Sequence, residues 1–63
     1  MLIFYFLNAA NGDELHVSRQ HLSSDCGGGC CFDRAVEEFR QTILPSYVPG
    51  DDRIRIDVRG VSA

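Results

Sequence analysis

The sequence predicts an α+β domain of element order ββαβ, in which a three-stranded antiparallel and mixed sheet of order 2-1-3 carries one helix on one face. Three stretches predict it: an apolar aromatic run at Leu2–Leu7, a helical stripe from Phe32 to Leu44, and a charge–apolar alternation from Arg53 to Arg59. The 63 residues are read as a single small domain, 1–63. A chain of this size buries only ~60% of its unfolded surface, so a staple or a partner would help it.

Leu2-Ile3-Phe4-Tyr5-Phe6-Leu7 is apolar at both parities and rich in aromatic and branched residues, the pattern of a central strand covered on two faces. The following Asn8-Ala9-Ala10-Asn11-Gly12-Asp13 contains an Asn-Gly pair suited to the positive φ angles of a hairpin turn. Leu15 and Val17 alternate with polar neighbours behind it, which predicts a short second strand at an edge. From Ser18 to Gly29 no apolar period is visible, and a long loop is expected there.

Phe32, Ala35, Val36, Phe39, Ile43 and Leu44 then follow i, i+3, i+4, i+7 spacing, with Arg34, Glu37, Glu38, Arg40 and Gln41 expected to face away. The helix is expected to begin at Phe32 or Asp33, with Asp33 in its first turn, and to stop at Leu44 before Pro45. Pro45–Asp52 reads as a turn-rich connector. Arg53-Ile54-Arg55-Ile56-Asp57-Val58-Arg59 alternates without error, as a half-buried strand does. Short connections and a right-handed crossover put the first strand in the centre, with the second and third parallel to each other on its flanks.

One helix covers one face, so half of the first strand's apolar residues must be left on the other. Either Leu2, Phe4 and Phe6 or Ile3, Tyr5 and Leu7 meet the helix, and the remaining row joins Arg53, Arg55, Asp57 and Arg59 on the open side. An apolar, aromatic centre bordered by arginines is the composition of interface cores. Tyr5, Arg53, Arg55 and Arg59 are therefore the candidate partner-binding residues, for another protein or for a homodimer through this face. The alternative is that arginine stems lie across the apolar row and shield it.

Most of the soft-ligand chemistry is gathered in one stretch, where His16 and His21 precede Asp25-Cys26-Gly27-Gly28-Gly29-Cys30-Cys31. His16, His21, Cys26 and Cys30, with Cys31 as an alternative, have the donor types of a tetrahedral zinc site, although a Cys-x3-Cys spacing is not that of zinc knuckles. Cys26, Cys30 and Cys31 also form a redox candidate, because a helix N-terminus favours thiolate. Read structurally, Cys30 or Cys31 is a small buried apolar residue and the glycines permit a tight entry into the helix.

The glycine run is no phosphate loop, since the chain has no lysine and lacks the Gly-x-Gly-x-x-Gly spacing. Adjacent acids at Asp13-Glu14, Glu37-Glu38 and Asp51-Asp52 point apart, and Ser23, Ser24, His21 and Asp25 share one loop without a rigid scaffold to aim them. No enzyme and no cofactor is expected. Six basic residues against nine acids give a net charge of −3, which disfavours nucleic acid as a partner and suits a basic protein surface. The apolar run at the start is too short for a membrane span or a signal core, so no membrane partner and a cytoplasmic location are expected, with an odd cysteine count pointing to reduced thiols.

Phe4-Tyr5-Phe6, the Asn11-Gly12 turn, the acid-rich helix and the closing Ile54-Arg55-Ile56-Asp57-Val58-Arg59 resemble a group of short bacterial proteins of unknown function. Members of that group begin with an aromatic strand and an Asn-Gly or Asp-Gly turn and end in a strand of this type. The stretch from Cys26 to Cys31 departs from the group's pattern. A looser similarity is to small acidic phage-encoded inhibitors of host defence, including anti-CRISPR proteins. It implies a non-catalytic role, and no residue of this chain matches an inhibitor motif.

Overall fold

A computed structural model describes residues 1–21 and 28–60 of the chain. It contains strands β1 (Leu2–Asn8) and β2 (Glu14–Gln20), helix α1 (Gly28–Thr42) and strand β3 (Ile54–Gly60). The strands form one sheet of order β2-β1-β3, and β1 is antiparallel to both neighbours. The α+β class, the ββαβ order and the central place of the first strand are as the sequence predicts.

The apolar row that meets the helix is Leu2, Phe4 and Phe6. Phe4 and Phe6 are buried with Cys31, Ala35, Val36, Phe39 and Tyr47, while Leu2, Leu15, Phe32, Leu44, Ile54 and Ile56 pack around them. Phe6 and Phe39 stack with ring centroids 4.3 Å apart, and Tyr47 meets Phe39 edge-on at 5.2 Å. Tyr47 belongs to the stretch read as connector, yet it is 2% exposed. The turn that follows α1 folds it back: Tyr47 N–H donates to the Leu44 carbonyl at 3.0 Å, and Arg40 Nε donates to the Tyr47 carbonyl at 2.6 Å. Burial pushes the Tyr47 phenol above its ordinary pKa, Asp51 adds to the rise, and Arg40 opposes it.

Three expected boundaries move. β2 runs on through Ser18, Arg19 and Gln20, because this polar end is held by side-chain hydrogen bonds to the helix rather than by apolar burial. Helix α1 begins at Gly28, ahead of Phe32, because fully buried Cys31 continues the stripe of Ala35 and Phe39 one turn toward the N-terminus. Asp33 therefore lies beyond the first turn, which carries no acid. The helix ends at Thr42, with Ile43 and Leu44 both donating to the Phe39 carbonyl; Leu44 precedes Pro45, whose ring disfavours helical backbone there.

The hairpin loop is longer than a two-residue Asn-Gly turn. Gly12 takes φ +77°, its N–H donates to the Asn8 carbonyl at 2.7 Å, and Asn8 N–H donates to the Asp13 carbonyl at 2.8 Å. A bulge follows, as Phe6 faces His16 but Leu7 faces Glu14. The extra residue reverses the alternation of β2, so Leu15 packs on the core while Val17 stands beside Tyr5 on the opposite face.

Candidate functional site

The helix packs most closely on β1 and β2, and β3 meets the core from the side through Ile54 and Ile56. The other face of the sheet is uncovered among the described residues. Ladder partners share a face, so its rows are Arg19–Ile3–Arg59, Val17–Tyr5–Asp57 and Glu14–Leu7–Arg55. Ile3, Tyr5, Leu7 and Val17 form a half-exposed apolar centre, and Glu14, Arg19, Arg55 and Arg59 are exposed around it. Although the chain is net acidic, this face carries three arginines against two carboxylates.

Arg59 leans over Tyr5 with its guanidinium carbon 5.6 Å from the ring centroid, a cation–π contact that holds the ring in place. Arg55 pairs with Asp57 through Nε–Oδ1 at 3.3 Å, which removes one positive and one negative charge from the balance. Arg19 and Arg59 thus dominate one end of the face. A groove of about 240 Å³ runs beside Tyr5, Leu7, Glu14, Asp57 and Arg59. Arg59 covers part of the Tyr5 ring, and Ile3, Leu7 and Val17 remain half exposed.

Arg53, expected on this face, precedes β3 and is bound elsewhere. Its Nη2 donates to Asp51 Oδ2 at 2.7 Å, and its Nε and backbone N–H also donate to Asp51. These bonds hold the Asp51 carboxyl down to about 2.

Of the histidine and cysteine candidates, His16 is engaged by the helix. Its Nε2 donates to Glu38 Oε1 at 2.8 Å, and its ring lies 6.1 Å from that of Phe6. Glu38 Oε2 also accepts from Ser18 Oγ at 3.0 Å and Gln20 Nε2 at 3.3 Å. Glu38 and Arg40, expected to face solvent, are instead partly buried by these partners. The cluster is closed, and no buried side-chain polar atom among the described residues lacks a partner. Nothing in the apolar spacing of α1 points to it; the even-numbered polar run His16, Ser18, Gln20 is the available signal.

His21 is exposed, and its carbonyl accepts a weak hydrogen bond from Cys31 Sγ at 3.7 Å. Cys31 is a free thiol buried in the core, whereas exposed Cys30 is disulfide-bonded, so the expectation of reduced thiols fails at Cys30. Cys26 lies outside the described residues, as does the middle of the expected loop, residues 22–27. Among the described residues, no three His, Cys, Asp or Glu side chains come together as a metal-binding group.

A larger hollow of about 580 Å³ lies between the hairpin loop and the end of α1, bordered by Asn8, Ala9, Leu44, Asp52 and Arg53. It brings no nucleophile beside a base, and its one guanidinium is already held by Asp51. Among the described residues, no helix is long and apolar enough to cross a membrane. Comparison with protein families, curated proteins and solved structures finds no match to this chain.

Proposed function

We propose that the chain is a non-catalytic protein-binding module that engages its partner through the open sheet face, in the cytoplasm. The observation that supports this most is the apolar row Ile3, Tyr5 and Leu7, continued by Val17 and bordered by Arg19, Arg55 and Arg59. Burying such a row releases water from apolar surface, and the arginine fork adds directed bonds to carboxylates at the rim. The partner is a protein surface with an apolar centre and acidic side chains placed against Arg19 and Arg59. An inhibitor of the phage-encoded type, such as an anti-CRISPR protein, and a homodimeric adaptor are the two forms this reading takes.

A photo-crosslinking residue at Tyr5, compared with one at exposed Gln41 on the helix, tests it. Position 5 should yield a defined protein adduct that is lost when Arg59→Glu is added, with circular dichroism unchanged. Equal labelling from both positions, or an adduct indifferent to Arg59→Glu, would contradict it.

A second reading, a small thiol-redox or metal sensor built on His16, His21, Cys26, Cys30 and Cys31, draws its support from the disulfide at Cys30. Zinc is the metal its donor types suit. Intact mass with and without reductant and zinc tests it: a reversible loss of two hydrogens or a bound zinc ion abolished by Cys30→Ser supports the sensor, and an unchanged mass defeats it.

A further inference from the structure

The two edges of the sheet are built differently. β2 carries a bulge at Leu15 and lies under the helix. β3 runs in unbroken register from Ile54 to Gly60, with no bulge and no proline, carries its charges at Arg55, Asp57 and Arg59 on the open side, and lies farther from the helix than β1 and β2 do. A regular edge left uncovered among the described residues is a template for another strand whose charges complement its own. On the helix side of β3, Val58 is 50% exposed beside Ile56 and Ile54.

The hydrogen-bond phase of that edge follows from one contact. Ala9 N–H donates to the Arg53 carbonyl at 2.9 Å, extending the ladder in which Asn8 faces Ile54. Antiparallel partners alternate between bonded and non-bonded pairs, so Arg53, Arg55, Asp57 and Arg59 turn their backbone groups toward β1. Ile54, Ile56 and Val58 turn theirs outward. The Ile54 amide is taken by the Asp51 carbonyl at 3.2 Å, while the Ile56 and Val58 amides and the Ile54, Ile56 and Val58 carbonyls have no partner among the described residues.

We propose that this edge pairs with β3 of a second copy of the chain, antiparallel and in the register that sets Ile56 opposite Ile56. Two-fold symmetry then places Ile56 N–H against the Ile56 carbonyl and Val58 N–H against the Ile54 carbonyl of the second copy, two bonds from each chain. On the helix side Val58 lies beside Ile54 of the other copy. On the open side Arg55 faces Asp57 of the other copy, twice over, and each of these groups already pairs within its own strand at 3.3 Å. Arg55 and Asp57 thus alternate in charge across the join, while Arg59 meets Arg53 of the other copy, whose charge Asp51 offsets within its own chain.

Charge and ladder length together select this register: centring the two-fold on Arg55 sets Arg55 against Arg55 and pairs only residues 54–56 of β3. Centring the two-fold on Asp57 sets Asp57 against Asp57 and Arg55 against Arg59, which is repulsive at every open-side pair. Centring it on Val58 keeps Asp57 against Arg59 but sets Ile56 against Gly60 and shortens the ladder. The occupant is therefore a second copy, whose sequence complements itself at the Ile56-centred register.

Sedimentation of the intact chain across a wide concentration range, read together with residue-resolved amide exchange, tests the proposal. A dimer is expected, and the Ile56 and Val58 amides should gain protection as it forms. Asp57→Arg makes each Arg55 face an arginine and should weaken the dimer about tenfold or more. Adding Arg55→Asp exchanges the charges and should restore it to near the original affinity. Val58→Lys, at a half-exposed site away from the open face, should weaken the dimer while circular dichroism stays unchanged. A chain monomeric at all concentrations overturns the proposal, as does a dimer whose Ile56 and Val58 amides gain no protection. The last outcome would move the contact to the open face instead.

Discussion

The half of the sheet beneath the helix and the half beyond it follow opposite rules. Over β1 and β2, stacked Phe6 and Phe39, edge-on Tyr47 and the Glu38 clasp on His16, Ser18 and Gln20 fill the space with satisfied groups. At β3, Ile54 and Ile56 touch the core from the side and Val58 is half exposed. A single helix about 10 Å wide covers two strands spaced ~4.8 Å apart and not a third. The chain closes one side with its own side chains and leaves the other uncovered among the described residues.

The contrast is broken most severely at the stacked ring. Phe39→Ala should cost about 3–5 kcal/mol, against a stability of roughly 3–9 kcal/mol for a chain of this length. Urea denaturation should show the variant at or near unfolding at 25 °C.

A smaller loss is expected at the clasp. Glu38→Ala removes the acceptor from His16, Ser18 and Gln20 while Ser18 stays only 1% exposed. Stranding such donors costs about 1–3 kcal/mol, and the β2 amides should lose protection before those of β3.

On the uncovered side the same kind of truncation should be mild. Val58→Ala removes atoms that are already half in water, and the transition should shift by about 1 kcal/mol or less. A loss equal to that of Phe39→Ala would show that the β3 side is as closed as the other.

The smallest effect belongs to the turn before β3. Asp51 has its pKa lowered by Arg53 from 3.8 to about 2. A depressed carboxyl contributes stability that is present above the unfolded value and lost as pH falls through the folded one. NMR titration should therefore show the Asp51–Arg53 contact intact at pH 4 and dissolving near pH 2, with little change in the global unfolding midpoint because the Arg53 side of the pair stands in solvent.

The strands and helix were legible because each has its own periodicity: Leu2–Leu7 apolar at both parities, Phe32–Phe39 at helical spacing, Ile54–Val58 at period two. The β3 part of the open face was legible too, apart from Arg53, since alternation alone puts Arg55, Asp57 and Arg59 on one side; it left open which row of β1 joins them and gave no sign of Glu14, Val17 and Arg19 there. What escaped depends on contacts between distant residues. Tyr47 stands among turn residues and is buried only because Arg40 and Leu44 fold the connector back. Glu38 reads as solvent-facing until β2 presents three donors to it, and the bulge that parts Leu15 from Val17 leaves no mark on a simple alternation. The extra turn of α1 was hidden by its glycines, which are poor helix formers.

The most direct test of the asymmetry is amide hydrogen exchange resolved along β3 in a sample dilute enough to be monomeric. Alternation is the predicted result, with Arg55, Asp57 and Arg59 protected by their bonds to β1 and Ile56 and Val58 exchanging freely between them. Uniform protection of all five amides in the monomer would contradict the account, because it would mean that the edge is already covered within one chain.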